Sequence, residues 1–296
     1  MPTVPDTPAS LTILPNGVAL SLNGALMGAR TAALADCVLL LTGTSMQLED
    51  VAYFTDFLQR QGHAVATLER FVGGPFDVGY DPRKERTDSL EAALSFLLET
   101  RKVAKIHIVA HSYATFEAVR VLSKDPARYS GRVENIVLVN PAGFSKKTRF
   151  FRHCLRFTFL MVLREYCSSA GQILFGRRVQ PESGELLARK LHATSVIFRK
   201  TVNNPSKTFK EVADVVSFKV KPYLKQLVQN HNYRFHLFIN LDDNLVAPGE
   251  TLRELQDLLP ASSMMTCPGH HMDLFVDASQ MTLFNAFLTN IMEQKC

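Results

Sequence analysis

One corner of the chain limits its fold more than any other stretch. Lys105-Ile106-His107-Ile108-Val109-Ala110-His111 has strand character, and it passes through Ser112 straight into the helical pattern of Tyr113-Ala114-Thr115-Phe116-Glu117-Ala118-Val119. A serine hydroxyl is a weak nucleophile unless the fold presents it to a base. A sharp strand-to-helix turn does this by holding the serine in a strained backbone conformation, with its oxygen above the sheet. Strand and helix run close together at such a turn, so the residues two before and two after the serine must be small. The usual form is Gly-x-Ser-x-Gly; here the positions are Ala110 and Ala114. A serine at this corner also suits a plain helix N-cap, its oxygen accepting an amide proton.

With this corner the chain resembles the α/β-hydrolase family, whose triad follows the order serine, acid, histidine at C-terminal strand ends. Arg234-Phe235-His236-Leu237-Phe238-Ile239-Asn240 reads as a buried strand and leads into Leu241-Asp242-Asp243-Asn244-Leu245-Val246-Ala247-Pro248. This is similar to the family's acid loop, and the register favours Asp243 as the acid, with Asp242 as the alternate. Ser263-Met264-Met265-Thr266-Cys267 reads as a further strand, followed by Pro268-Gly269-His270-His271. The family's histidine usually follows directly on the glycine, so the resemblance favours His270, with His271 as the alternate. Taken singly, paired Asp residues near a proline are often turn formers. A His pair after Pro-Gly could equally be an exposed loop, and no third ligand at metal spacing accompanies it. The order along the chain favours the catalytic reading.

The strand Cys37-Val38-Leu39-Leu40-Leu41 ends in Thr42-Gly43-Thr44-Ser45. In the family the corresponding loop supplies one oxyanion-hole amide, which here is that of Thr44; the second is that of Tyr113, just after the nucleophile. The resemblance therefore implies an α/β-hydrolase fold, with a mainly parallel sheet flanked by helices and an inserted helical cap. It implies a serine hydrolase acting on a small-molecule carboxylic ester or thioester with an apolar acyl chain, through an acyl-enzyme on Ser112 and without cofactor or metal. Two alternatives stand beside it: an acyltransferase or acyl-thioesterase using the same triad, and a non-catalytic protein of this fold that binds a small ligand. The departures that keep the last alive are Ala110, Ala114, Thr42 in place of a frequent His, and the Gly-rich loop at 71–79, which lacks the Arg-Gly pattern of many relatives.

The chain has 296 residues, 46% hydrophobic and 21% charged, enough for one core plus a cap. Residues 1–10 are expected to form a disordered Pro-rich lead rather than a secretory signal. The core is expected from 11–143 and 232–296, and the cap from 144–231, where the strand–helix alternation stops. Leu11–Leu14 and Val18–Leu22, around Asn16-Gly17, read as an opening hairpin. A net charge of +5 is too weak and dispersed to point to nucleic acid. Five cysteines without framework spacing, and no apolar run of about 20 residues, fit a cytoplasmic protein.

Within the cap, Arg149, Arg152 and Arg156 share one face of a predicted helix lined elsewhere by phenylalanines and aliphatics. The plain reading is an apolar face on the core with solvated arginines. The functional reading is a roof over an acyl-chain tunnel, its basic side meeting anionic headgroups at a membrane surface or a phosphate-bearing carrier.

Overall fold

The computed structural model describes residues 10–14, 19–23, 36–43, 46, 48–69, 79–144, 205–231, 233–243 and 245–294. The lead at 1–9, Thr44, most of the Gly-rich loop and the arginine-bearing cap helix lie outside them.

Four strands form the centre: β3 (Asp36–Leu41), β5 (Lys105–His111), β6 (Val133–Val139) and β7 (Arg234–Asn240). Each is a near-continuous apolar run because both of its faces are covered, which is the pattern of a buried parallel strand. With β1 (Ser10–Ile13), β2 (Ala19–Asn23), β4 (Val65–Glu69) and β8 (Met264–Cys267), they make one eight-stranded sheet in the order β1-β2-β4-β3-β5-β6-β7-β8. Pairing is parallel from β4 through β8, and the expected hairpin β1–β2 joins antiparallel at one edge.

Strand alternation sends side chains into two separate cores. Leu39, Ile106, Ile108, Ile136, Leu138 and Leu237 point to one face, with α2 (Pro82–Ser95), α3 (Ala114–Lys124) and α6 (Val220–His231). Val38, Leu40, Val109, Val137 and Phe238 point to the other, with α1 (Leu48–Arg60), α8 (Asp273–Val276) and α9 (Ala278–Glu293). Among the described residues the other α-helices are α4 (Pro126–Tyr129), α5 (Pro205–Ser217) and α7 (Pro248–Leu255). Of the segment expected as cap, α5 and α6 are described; α6 buries Val220, Leu224 and Leu227 in the same core as α3.

A polar row crosses the second core at the end of the sheet remote from Ser112. Asn135 Nδ2 donates to His107 Nδ1 at 2.9 Å, and His236 Nε2 donates to Asn135 Oδ1 at 3.0 Å. Burial pushes His236 down from 6.5 to about 4, with the Arg234 charge adding to it, and burial also lowers His107. Between those two pH values an unfolded His236 takes up a proton that the folded one refuses. Stability is therefore intact above about 6.5 and falls as the pH drops toward 4. Melting temperatures of wild type and His236→Gln from pH 7.5 to 4.5 are expected to show a shallower decline in the variant. Equal slopes would place the acid sensitivity elsewhere.

Candidate active site

Ser112 sits where β5 ends and α3 begins, in the left-handed region at φ 54°. For a residue with a Cβ this conformation costs about 1–3 kcal/mol, and three backbone bonds hold it. The Ser112 amide donates to Val139 O at 2.8 Å, and its carbonyl accepts from the Thr115 and Ala142 amides, each at 3.3 Å. Ala110 and Ala114 are fully buried where strand and helix converge. The N-cap position belongs to Tyr113, without a side-chain capping bond, so the plain N-cap reading does not account for Ser112. The Tyr113 amide thereby lies at the positive end of the α3 dipole. Gly43, after β3, backs onto this corner: a Cβ there would lie 3.0 Å from His111 Nδ1 and 3.2 Å from Ser112 Cβ. Gly43, which precedes the expected oxyanion residue, thus abuts the serine; Thr44 itself lies outside the described residues.

The acid and histidine loops leave adjacent strands β7 and β8. Asp243 is buried, with Oδ1 accepting from the amides of Leu245 (2.7 Å) and Val246 (3.3 Å) and Oδ2 lying 2.6 Å from His271 Nδ1. The aspartate is the one that the sequence favoured. The histidine is not: Asp243 meets His271, the alternate, rather than His270. The reason lies in the turn. Gly269 adopts φ 137°, the His270 amide donates to Asp273 Oδ2 at 2.9 Å, and the His270 ring turns outward with Nδ1 3.1 Å from Asp242 O. Asp242 serves as a stitch between the loops, its Oδ2 accepting from the Gly269 amide at 2.9 Å. A carboxylate at Nδ1 fixes the proton there and leaves Nε2 of His271 as the basic nitrogen. The His271 ring lies 4.7 Å from that of His111, the residue preceding Ser112. Serine, aspartate and histidine thus stand at one end of the sheet.

A family profile described as the alpha/beta hydrolase fold matches residues 38–278. The chain belongs to the α/β-hydrolase fold family. Solved structures agree on the fold. A membrane phospholipase A described as a bacterial virulence factor matches with a TM-score of 0.64 at 14% identity, covering 97% of this chain and 87% of that one. A bromoperoxidase from Bacillus anthracis gives 0.63 at 15%, covering 97% and 100%. An enol-lactonase from Burkholderia xenovorans LB400 gives 0.60 at 14%, covering 96% and 100%. No curated protein sequence matches the chain. Among the described residues no helix of this α/β-hydrolase is long and apolar enough to cross a membrane, and no cluster of His, Cys, Asp and Glu is arranged to hold a metal ion.

Behind the serine, this α/β-hydrolase carries a buried charged network that the sequence did not disclose. Arg86 of α2 is 3% exposed and bonds Glu117 Oε1 of α3 (3.0 Å) and Glu211 Oε1 of α5 (2.5 Å). Tyr80 donates to the same Glu211 oxygen at 2.8 Å. The Arg86 guanidinium also stacks 4.3 Å above the Tyr113 ring, and the Tyr113 hydroxyl donates to Asp214 Oδ2 of α5 at 2.5 Å. Arg120 grips Asp214 with two bonds of 2.6 Å, and Arg83 adds a third at 2.8 Å. Burial works to raise the Glu211 carboxyl, but the charges of Arg86 and Lys207 outweigh it and hold it below the usual carboxylate range. Asp214 is lowered too, burial being overcome by its bonds from Arg120 and Tyr113. Residues 80, 86, 117 and 211 are too far apart in sequence for local periodicity to link them.

Proposed function

We propose that this protein is a serine hydrolase that cleaves a carboxylic ester or thioester with an apolar acyl chain, through an acyl-enzyme on Ser112. The observation that carries the proposal is the buried 2.6 Å bond between Asp243 and His271 at the sheet end where Ser112 is held at φ 54°. In the mechanism this supports, His271 Nε2 takes the Ser112 proton as Oγ attacks the acyl carbon. Asp243 holds the imidazole in the needed tautomer and stabilises its protonated form. The amides of Tyr113 and Thr44 stabilise the tetrahedral oxyanion; losing one such donor typically costs about 10²–10³ in rate. The imidazolium then protonates the departing alcohol or thiol, and water activated by the same imidazole releases the acid. The preference for an apolar acyl chain rests on the Phe-, Leu- and Val-rich sequence of the 144–231 segment. Free, buried Cys37 and Cys267 suit a reducing compartment; burial pushes the Cys37 thiol up to about 12.

The test is labelling by a fluorophosphonate probe, comparing wild type with Ser112→Ala. Wild type should label and the variant should not. Labelling retained in the variant, or absent from folded wild type at any probe concentration, would overturn the reading.

A further inference from the structure

We infer that Asn140 is a positioning residue that sets the Asp243–His271 bond by bridging the loops that carry the two groups; this rests on reading His271 as the base. Asn140 is fully buried just beyond β6 and adopts φ 43°, a region that asparagine tolerates better than most residues with a Cβ. In that conformation its side chain joins two neighbours. Oδ1 accepts from the Asn240 amide at 2.8 Å, three residues before Asp243, and Nδ2 donates to the carbonyl of His271 at 3.1 Å. The orientation of the amide is fixed chemically: a backbone N–H can only donate, so the oxygen must face Asn240, and the NH₂ is left for the His271 carbonyl. One short side chain therefore ties the end of β7, from which the acid loop departs, to the peptide unit of the base.

The other bonds of the histidine loop converge in the same way. His271 O accepts a second bond from His111 Nε2 at 3.1 Å, and His270 O accepts from Asn240 Nδ2 at 2.5 Å. Gly269 O accepts from the Asp242 amide at 3.0 Å, and Pro268 O from Gln280 Nε2. Every carbonyl from 268 to 271 is thus held, and Asn140 joins the end of β7 to the histidine loop through one amide group. A general base must lie within about 0.5 Å of its working position, and a misplacement of about 1 Å can cost about 100-fold in rate.

Asn140→Gly removes both bonds while suiting the positive φ, and Asn140→Asp keeps the acceptor for Asn240 while losing the donor to His271. Both are compared with wild type by the second-order rate of fluorophosphonate labelling across pH 5–9, by kcat and KM on a p-nitrophenyl ester, and by the proton NMR signal of the Nδ1–H shared with Asp243. That signal is identified by its loss in His271→Gln. For Asn140→Gly the expected result is labelling and kcat about 10–100-fold lower with KM little changed, and an Nδ1–H signal shifted upfield or broadened. Asn140→Asp should also shift the signal. Labelling, kcat and an Nδ1–H signal like wild type in folded Asn140→Gly would overturn the inference, whatever the change in melting temperature. Wild type that fails to label overturns the hydrolase reading instead, and the NMR comparison still decides whether Asn140 sets the Asp243–His271 bond.

Discussion

Replacing His271 with glutamine is expected to lower kcat/KM by at least about 10⁴-fold, whereas His270→Gln should keep it within about tenfold of wild type. The two residues are neighbours in sequence and differ sharply in setting. His271 is buried and shares 2.6 Å with Asp243, while the His270 ring points outward beside the Asp242 carbonyl. Glutamine can occupy much of the space of imidazole but cannot take the serine proton. Both variants should retain the fold, since the loop is held mainly through its carbonyls and amides. Steady-state kinetics on one chromogenic ester, with melting curves as a control, separates the two. If His270→Gln lost activity and His271→Gln kept it, the assignment of the base would be reversed.

The second large effect concerns stability. Arg86→Met is expected to destabilise the protein by about 3–5 kcal/mol, because it leaves Glu211 and Glu117 buried without the charge between them. For a chain of this size that is a fall in melting temperature on the order of 10 °C. Removing an exposed pair by Lys84→Met should change little. The pH dependence identifies the cause. In wild type the Glu211 carboxyl is held low, so its contribution is present above the ordinary carboxylate range and is lost as pH falls through its depressed value. Without Arg86 the burial effect dominates, the carboxyl rises and takes a proton readily, and the deficit of the variant should shrink on acidification. Arg86→Met combined with Glu211→Leu should recover part of the loss at neutral pH. A deficit independent of pH would point to lost packing rather than to uncompensated charge.

Much of the scaffold was legible in the chain. Apolar runs at 37–41, 105–111 and 234–240 forecast buried parallel strands because a strand covered on both faces has little room for polar side chains. The serine corner was legible because the steric demand of a tight strand-to-helix turn falls on residues 110 and 114, only two positions from it. Asp243, which the resemblance favours over Asp242, lies buried 2.6 Å from His271 Nδ1 in the loop that follows β7.

What followed from non-local geometry was not legible. Asp242 and Asp243 or His270 and His271 differ by one position, and which histidine faces inward is set by Gly269 at φ 137° and by the Asp273 carboxylate holding the His270 amide. No local pattern encodes that choice. The roles of Asn140, Asn240 and His111 depend on three strand ends meeting the same loop, and the Arg86 network depends on three helices meeting, with Glu117 31 residues and Glu211 125 residues beyond Arg86. Sequence periodicity determined which segments of the sheet are strands and that Ser112 stands at a strand-to-helix corner. The tertiary structure alone decided which imidazole meets the aspartate, because that depends on backbone hydrogen bonds formed only when the ends of β5, β6, β7 and β8 are brought together.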